Sequence, residues 1–147
     1  MAYVTNADIE AWLGTQTVVE LTDDAGTGSI DTAKLDEARL GAEGEANSYL
    51  AARYQVPVDV SAEPEVEAVL KSFILDLVAG RLHGRRPPVP PDVVRRQVEA
   101  AAWLQRVASG MVQLPSALAV RENTALGKLG EIAGPKRQMT RDSLEDV

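Results

Sequence analysis

The sequence predicts an all-α protein, a small helical bundle of about four helices with an extended C-terminal tail. Three observations lead there. Apolar residues recur at three- and four-residue steps through several long stretches. Aromatic residues make up only 4% of the chain, and alanine, valine and leucine dominate the apolar set, which suits close helix packing better than a sheet sandwich. Glycine and proline punctuate the stretches, and beyond Gly110 the periodicity stops. With 147 residues, 45% hydrophobic and 25% charged, the chain has the composition of an ordinary globular protein with one modest core. The expected organisation is a helical domain over residues 1–110 and an extension over 111–147, extended or unstructured until a partner orders it.

The first helix begins at Thr5-Asn6-Ala7-Asp8, where a side-chain oxygen precedes Ile9, Trp12 and Leu13 and an acid stands in the first turn. Gly14 stops it. The short run Val18-Val19-Glu20-Leu21 fits a helical turn or extended chain equally well. Asp31 caps the next helix, and Ile30 and Leu35 occupy the two positions of a hydrophobic staple. Leu35, Ala38, Ala42, Ala46, Tyr49, Leu50 and Arg53 form its stripe, with Asp36, Glu37, Glu43 and Glu45 on other faces. Gly41 and Gly44 weaken this helix by about 1 kcal/mol each relative to alanine, and their bareness admits a close neighbour. Pro57 ends the pattern.

Ser61 opens the third unit, with Pro64 tolerated because first-turn amides have no intrahelical partner. Val66, Val69, Leu70, Phe73, Ile74, Leu77 and Val78 give the strongest helical stripe in the chain, which marks the core helix. It runs out in the basic stretch Gly80 to Gly84, and Pro87-Pro88-Val89-Pro90-Pro91 is a stiff connector. The fourth helix is expected from about Asp92 to Ala108, with Val94, Val98, Ala101, Trp103, Leu104 and Val107 as its apolar side and Gly110 as its stop.

The totals narrow the function. Without cysteine there is neither a disulfide framework nor a thiolate metal site. MAYVTNADIEAWLG lacks the basic start and apolar core of a signal peptide, and Asp76 interrupts the apolar run after Phe73-Ile74-Leu75, so a soluble, cytoplasmic product with no membrane partner is expected. The net charge of −7 is uneven: residues 1–70 hold 14 acids and 3 bases, and residues 71–147 hold 8 acids and 12 bases. That balance argues against tight nonspecific duplex binding and suits head-to-tail self-association or docking on an oppositely charged partner.

Candidate chemistry is sparse. LTDDAGTGSID, from Leu21 to Asp31, imitates a calcium loop, with Asp23 at position one, Gly28 as the glycine, Ile30 at position eight and Asp31 at nine. However, Ala25 and Thr27 replace two ligands, and Lys34 puts an ammonium where a bidentate carboxylate must close the cage. A glycine turn feeding a capped helix explains the segment better. His83 is the only histidine, with no partner for catalysis, and Gly127-Lys128 lacks both the upstream glycine and the Ser or Thr of a phosphate loop. No catalytic residue, cofactor or metal is therefore expected. The two PxxP frames across Pro87 to Pro91 read as an interhelical spacer. Arg81, Arg85, Arg86, Arg95 and Arg96 cluster around it and favour an acidic protein surface over nucleic acid. Together with Leu114, Leu118 and Val120 of the tail they form the candidate partner or subunit interface.

With these residues in place, the sequence resembles the Mu-like prophage adaptor family, small phage morphogenesis proteins that connect the capsid's portal to the tail. The likeness comprises a short N-terminal helix, LTD with a glycine turn and Ile30-Asp31, and a long helix ending in Tyr49-Leu50 and Arg53-Tyr54 before Val56-Pro57. It continues through Arg81-Leu82, a proline-rich break, Ala102-Trp103-Leu104 and Ser109-Gly110, covering about residues 3 to 114. The resemblance implies a virion protein at the head-to-tail junction, made in the bacterial host cytoplasm and not an enzyme. It implies as partners the portal protein, neighbouring copies in a dodecameric ring, and head-completion or tail proteins, with DNA as a passing occupant of the lumen. Two other readings stay open. One is a DNA-binding packaging accessory using the Arg81 to Arg96 patch, and the other is a calcium-responsive module.

Overall fold

The computed structural model of the protein describes residues 2–115. Within them the chain forms α1 (Asn6–Leu13), α2 (Thr15–Thr22), α3 (Thr32–Leu50), α4 (Pro64–Gly84) and α5 (Pro91–Ser109), and no β-strand. The all-α bundle is as expected, with one helix more than the periodicity suggests. That helix is α2. Gly14, at a φ of 86°, closes α1 and directly opens α2, which turns Val18, Leu21 and Thr22 into the core. Four residues are too few to display a 3.6-residue period, so Val18 to Leu21 read ambiguously.

Each remaining start and stop has a local cause. Thr5 and Asp8 form a reciprocal capping box on α1, the Asp8 amide donating to Thr5 Oγ1 at 3.2 Å and the Thr5 amide to Asp8 Oδ2 at 2.9 Å. Asp31 Oδ1 accepts from the Ala33 and Lys34 amides and caps α3, while Ile30 and Leu35 pack at the core as the staple requires. Pro64 and Pro91 occupy the first turns of α4 and α5. The last helix therefore starts one residue before Asp92, taking the connector's final proline as its own. Gly110 ends it in the left-handed region, at a φ of 81°.

The core lies between α3, α4 and α5, and α3 and α4 each touch every other helix. From α3 come Leu35, Ala38, Ala42, Ala46 and Leu50, and from α4 come Leu70, Ile74, Leu75, Leu77, Val78 and Leu82. Burying each large aliphatic side chain contributes about 1.5–3 kcal/mol. From Leu70 to Leu82, α4 is apolar around most of its circumference, which is why it can be surrounded. Val69, at the edge of its expected stripe, is instead 41% exposed.

Two faces differ from the sequence reading. On α5 the buried residues are Val93, Ala100, Leu104 and Val107, whereas Val94 and Val98 are 45% and 61% exposed. On the inward face Gln97, a polar residue, lies over Gly80 of α4: a Cβ on Gly80 would stand 2.3 Å from Gln97 Oε1. Trp103 still packs inward, stacking on Phe73 with ring centroids 4.6 Å apart. On α3, Glu43 is buried rather than outward-facing. Its Oε1 accepts the Tyr3 and Val4 amides at 3.0 and 3.1 Å and so ties the N-terminal segment to the bundle. As for the glycines, Gly41 does admit a close neighbour, the guanidinium of Arg81, while nothing lies within 4 Å of a Cβ placed on Gly44.

Candidate functional site

The loop between α2 and α3 is built from its own hydrogen bonds. Thr22, fully buried, donates through Oγ1 to the Val18 carbonyl at 2.7 Å and accepts the Asp31 amide at 3.2 Å, closing the loop at its neck. Inside, the Asp23 carboxylate accepts the Gly28 amide at 2.6 Å and the Thr27 hydroxyl at 3.3 Å, with Gly26 and Gly28 both at positive φ. Backbone amides of Thr27 and Gly28 hold the Asp23 carboxyl below its usual range. The carboxylates that match the calcium template are thus committed to turn and cap. The Lys34 ammonium reaches into the same place, pairing with Asp24, lying 3.3 Å from Asp31 Oδ2 and donating to the Thr22 carbonyl. Among the described residues no group of three or more His, Cys, Asp or Glu side chains is arranged to hold a metal ion.

Asp24, the loop's second acid, is the focus of the basic end of α4. Arg85 Nη2 donates to its Oδ2 at 2.7 Å and Arg86 Nη2 to its Oδ1 at 3.1 Å, so with Lys34 three cations converge on one carboxylate. The same guanidinium groups take backbone carbonyls at the end of α2, Arg85 that of Leu21 at 2.6 Å and Arg86 that of Asp23 at 2.8 Å. Leu21 is in the last turn, where carbonyls lack intrahelical partners and the helix dipole favours a cation. Hydrogen bonding from Lys34, reinforced by Arg85 and Arg86, lowers the Asp24 pKa to about 2. Beside this clamp, Arg81 donates to Glu45 at 2.8 Å. An open cleft of about 270 Å³ lies between α3 and α4, lined by Lys34, Glu37, Ala38, Arg81 and Arg85.

The five candidate arginines therefore have three settings. Arg81, Arg85 and Arg86 gather at the end of α4. Arg95 is 3.8 Å from Asp92 at the solvent-exposed start of α5. Arg96 lies over the Trp12 ring, 5.9 Å from its centroid, and 3.9 Å from Asp76, whose own Oδ1 has no hydrogen-bond partner and whose pKa burial raises. Leu114 is buried within the chain itself, its amide donating to Tyr54 Oη at 2.9 Å. Leu118 and Val120 lie outside the described residues, as does most of the tail. His83 Nδ1 is bonded at 2.9 Å to the Ala79 carbonyl of its own helix.

Sequence alone does not single out Asp24 and Lys34 as constituents of this surface, because the two arginines that join Lys34 on Asp24 are 61 and 62 residues away from that carboxylate in the chain. The available signal is the Asp23-Asp24 doublet ahead of a capped helix carrying a lysine in its first turn. The structure also joins two stretches on which the family resemblance rests. Tyr54 holds the Leu114 amide, and Arg53 lies so close to Gly110 that a Cβ there would stand 2.4 Å from its Nη1. The motifs at the ends of α3 and α5 thus make one junction.

A protein-family model described as Bacteriophage Mu, Gp36 matches residues 3–129. The chain belongs to that family. The match spans the whole bundle and continues beyond residue 114, the limit of the motif-based likeness. Membership of this phage family supports a structural or morphogenetic role in a phage. No curated protein matches the chain. None of the described helices is long and apolar enough to cross a membrane.

Proposed function

We propose that this protein is a non-enzymatic adaptor of a tailed phage or prophage, forming a ring that joins the portal of the capsid to the tail and lets DNA pass. The observation that carries this reading is the family match over residues 3–129, which embraces every helix of the bundle. In this role copies of the chain meet one another and the portal, head-completion or tail proteins bind the far side, and the protein resides at the head-to-tail junction after synthesis in the host cytoplasm. The bundle acts as a rigid wedge, no bond is made or broken, and the C-terminal extension orders on assembly. Charge supports the same arrangement. The acidic first half can face the lumen and repel DNA, while the arginines at the end of α4 face acidic protein surfaces.

Deleting the chain from a producing phage tests the proposal. Electron microscopy is expected to show filled or leaking capsids and separate tails. Normally tailed, infectious particles would overturn it.

A further inference from the structure

We propose that Lys34, Arg85 and Arg86 constitute a binding site for an acidic side chain of a partner protein, occupied in the free chain by Asp24 as a replaceable internal ligand. The proposal deepens the adaptor reading, on which the partner's place in the particle rests. The carboxylate chemistry stands on the geometry alone.

Three positive groups converge on Asp24, more than one carboxylate neutralises, with Asp31 offsetting part of the Lys34 charge. The site is nevertheless open to solvent: Asp24 is 49% exposed and Arg86 46% exposed. Arg86 also contacts Asp24 through only one of its nitrogens, leaving donors for a second acceptor. The occupant sits on residues 24–29, all exposed, and open space surrounds both Gly26 and Gly28. Core contacts begin at Ile30 and at the neck, where Thr22 and Asp31 are bonded. Releasing Asp24 therefore exchanges one surface carboxylate for another without opening the core. The neighbouring cleft of about 270 Å³, with Arg81 on its wall, gives an incoming side chain room to approach.

The surroundings select a carboxylate over a nucleic-acid backbone. Asp23, Asp31, Glu37 and Glu45 flank the cations, and the chain carries a net charge of −7. A duplex would hold its successive phosphates at fixed spacing against those acids, whereas a flexible acidic peptide can place one side chain on the cations and turn the rest of its charges into solvent. Because Asp24 competes intramolecularly, a partner sees only the fraction of molecules in which the site is vacant, and its apparent affinity falls accordingly.

The test is a titration of the full chain with fluorescein-labelled hexaglutamate at low ionic strength, followed by anisotropy. Asp24→Asn is expected to bind about tenfold more tightly than wild type, by removal of the internal competitor. Adding Arg85→Gln and Arg86→Gln is expected to abolish the gain. Equal binding by wild type and D24N, or a gain that survives the arginine substitutions, overturns the proposal. So does an equal gain toward a duplex DNA probe of about 20 base pairs, sized to span the arginine surface and expose phosphate binding. A second measurement needs no variant. In wild type, saturating hexaglutamate is expected to shift the Gly26 and Gly28 amide resonances, and unmoved resonances also overturn the proposal. These results are independent of particle morphology, so the site and the adaptor role can fail separately.

Discussion

At the residue scale, the polar side chains that matter most are those committed to backbone groups. Glu43 is the clearest case, a buried carboxylate whose one oxygen receives two amides of the N-terminal segment while Arg39 stands 3.7 Å from the other. Replacing it with alanine strands the fully buried Val4 amide and is expected to cost about 2 kcal/mol in urea denaturation, with Glu43→Gln costing less because its carbonyl can still accept. Asp76 behaves oppositely. Burial is the main cause of its raised pKa, outweighing the attraction of Arg96, so the penalty on folding grows as the pH rises above the unfolded value and is complete above the folded-state pKa. Below the unfolded value, near 3.8, both states are protonated and the penalty vanishes. Asp76→Asn is accordingly expected to melt above wild type at pH 7, with the difference shrinking toward pH 4. A lower melting temperature at pH 7 would mean that the attraction of Arg96 is the larger effect.

At the scale of elements, glycine separates helices that pack closely from those that merely bend the propensity rules. Gly44 faces open space on α3, so Gly44→Ala is expected to raise stability by up to about 1 kcal/mol. Gly80 lies beneath Gln97, so Gly80→Ala is expected to lower it, and Gln97→Ala in the same chain to relieve the clash; denaturation midpoints of the three variants decide this. Most helix boundaries are legible in the sequence because they are local. Thr5, Gly14, Asp31, Pro64 and Gly110 mark them through capping, backbone conformation or the missing proline amide. The faces are less legible. Gln97, a polar residue against Gly80, conceals the inner side of α5, and Glu43 conceals an inward position on α3, where its partners are the distant Tyr3 and Val4 amides. The arginine surface is legible in composition and not in arrangement: Arg85 and Arg86 find Asp24, Arg81 finds Glu45, and Arg96 finds Trp12, all across long sequence separations.

At the scale of the whole molecule, the described residues form a bundle of five helices whose arginine group, where α4 ends, sits against Asp24 and Glu45 of the acidic first half, so that opposite charges are brought together at its surface. The phage family supports a structural or morphogenetic role for the chain, and the junction of Arg53 and Tyr54 with Gly110 and Leu114 ties the end of α5 to the end of α3. The most direct measurement of the central claim is the location of this chain within intact particles, by electron cryomicroscopy of the virion. The adaptor account predicts a closed ring of copies between portal and tail, with the bundle seen here as its repeating unit. Finding the chain only in the capsid shell or along the tail tube, or finding none in the particle, would contradict it.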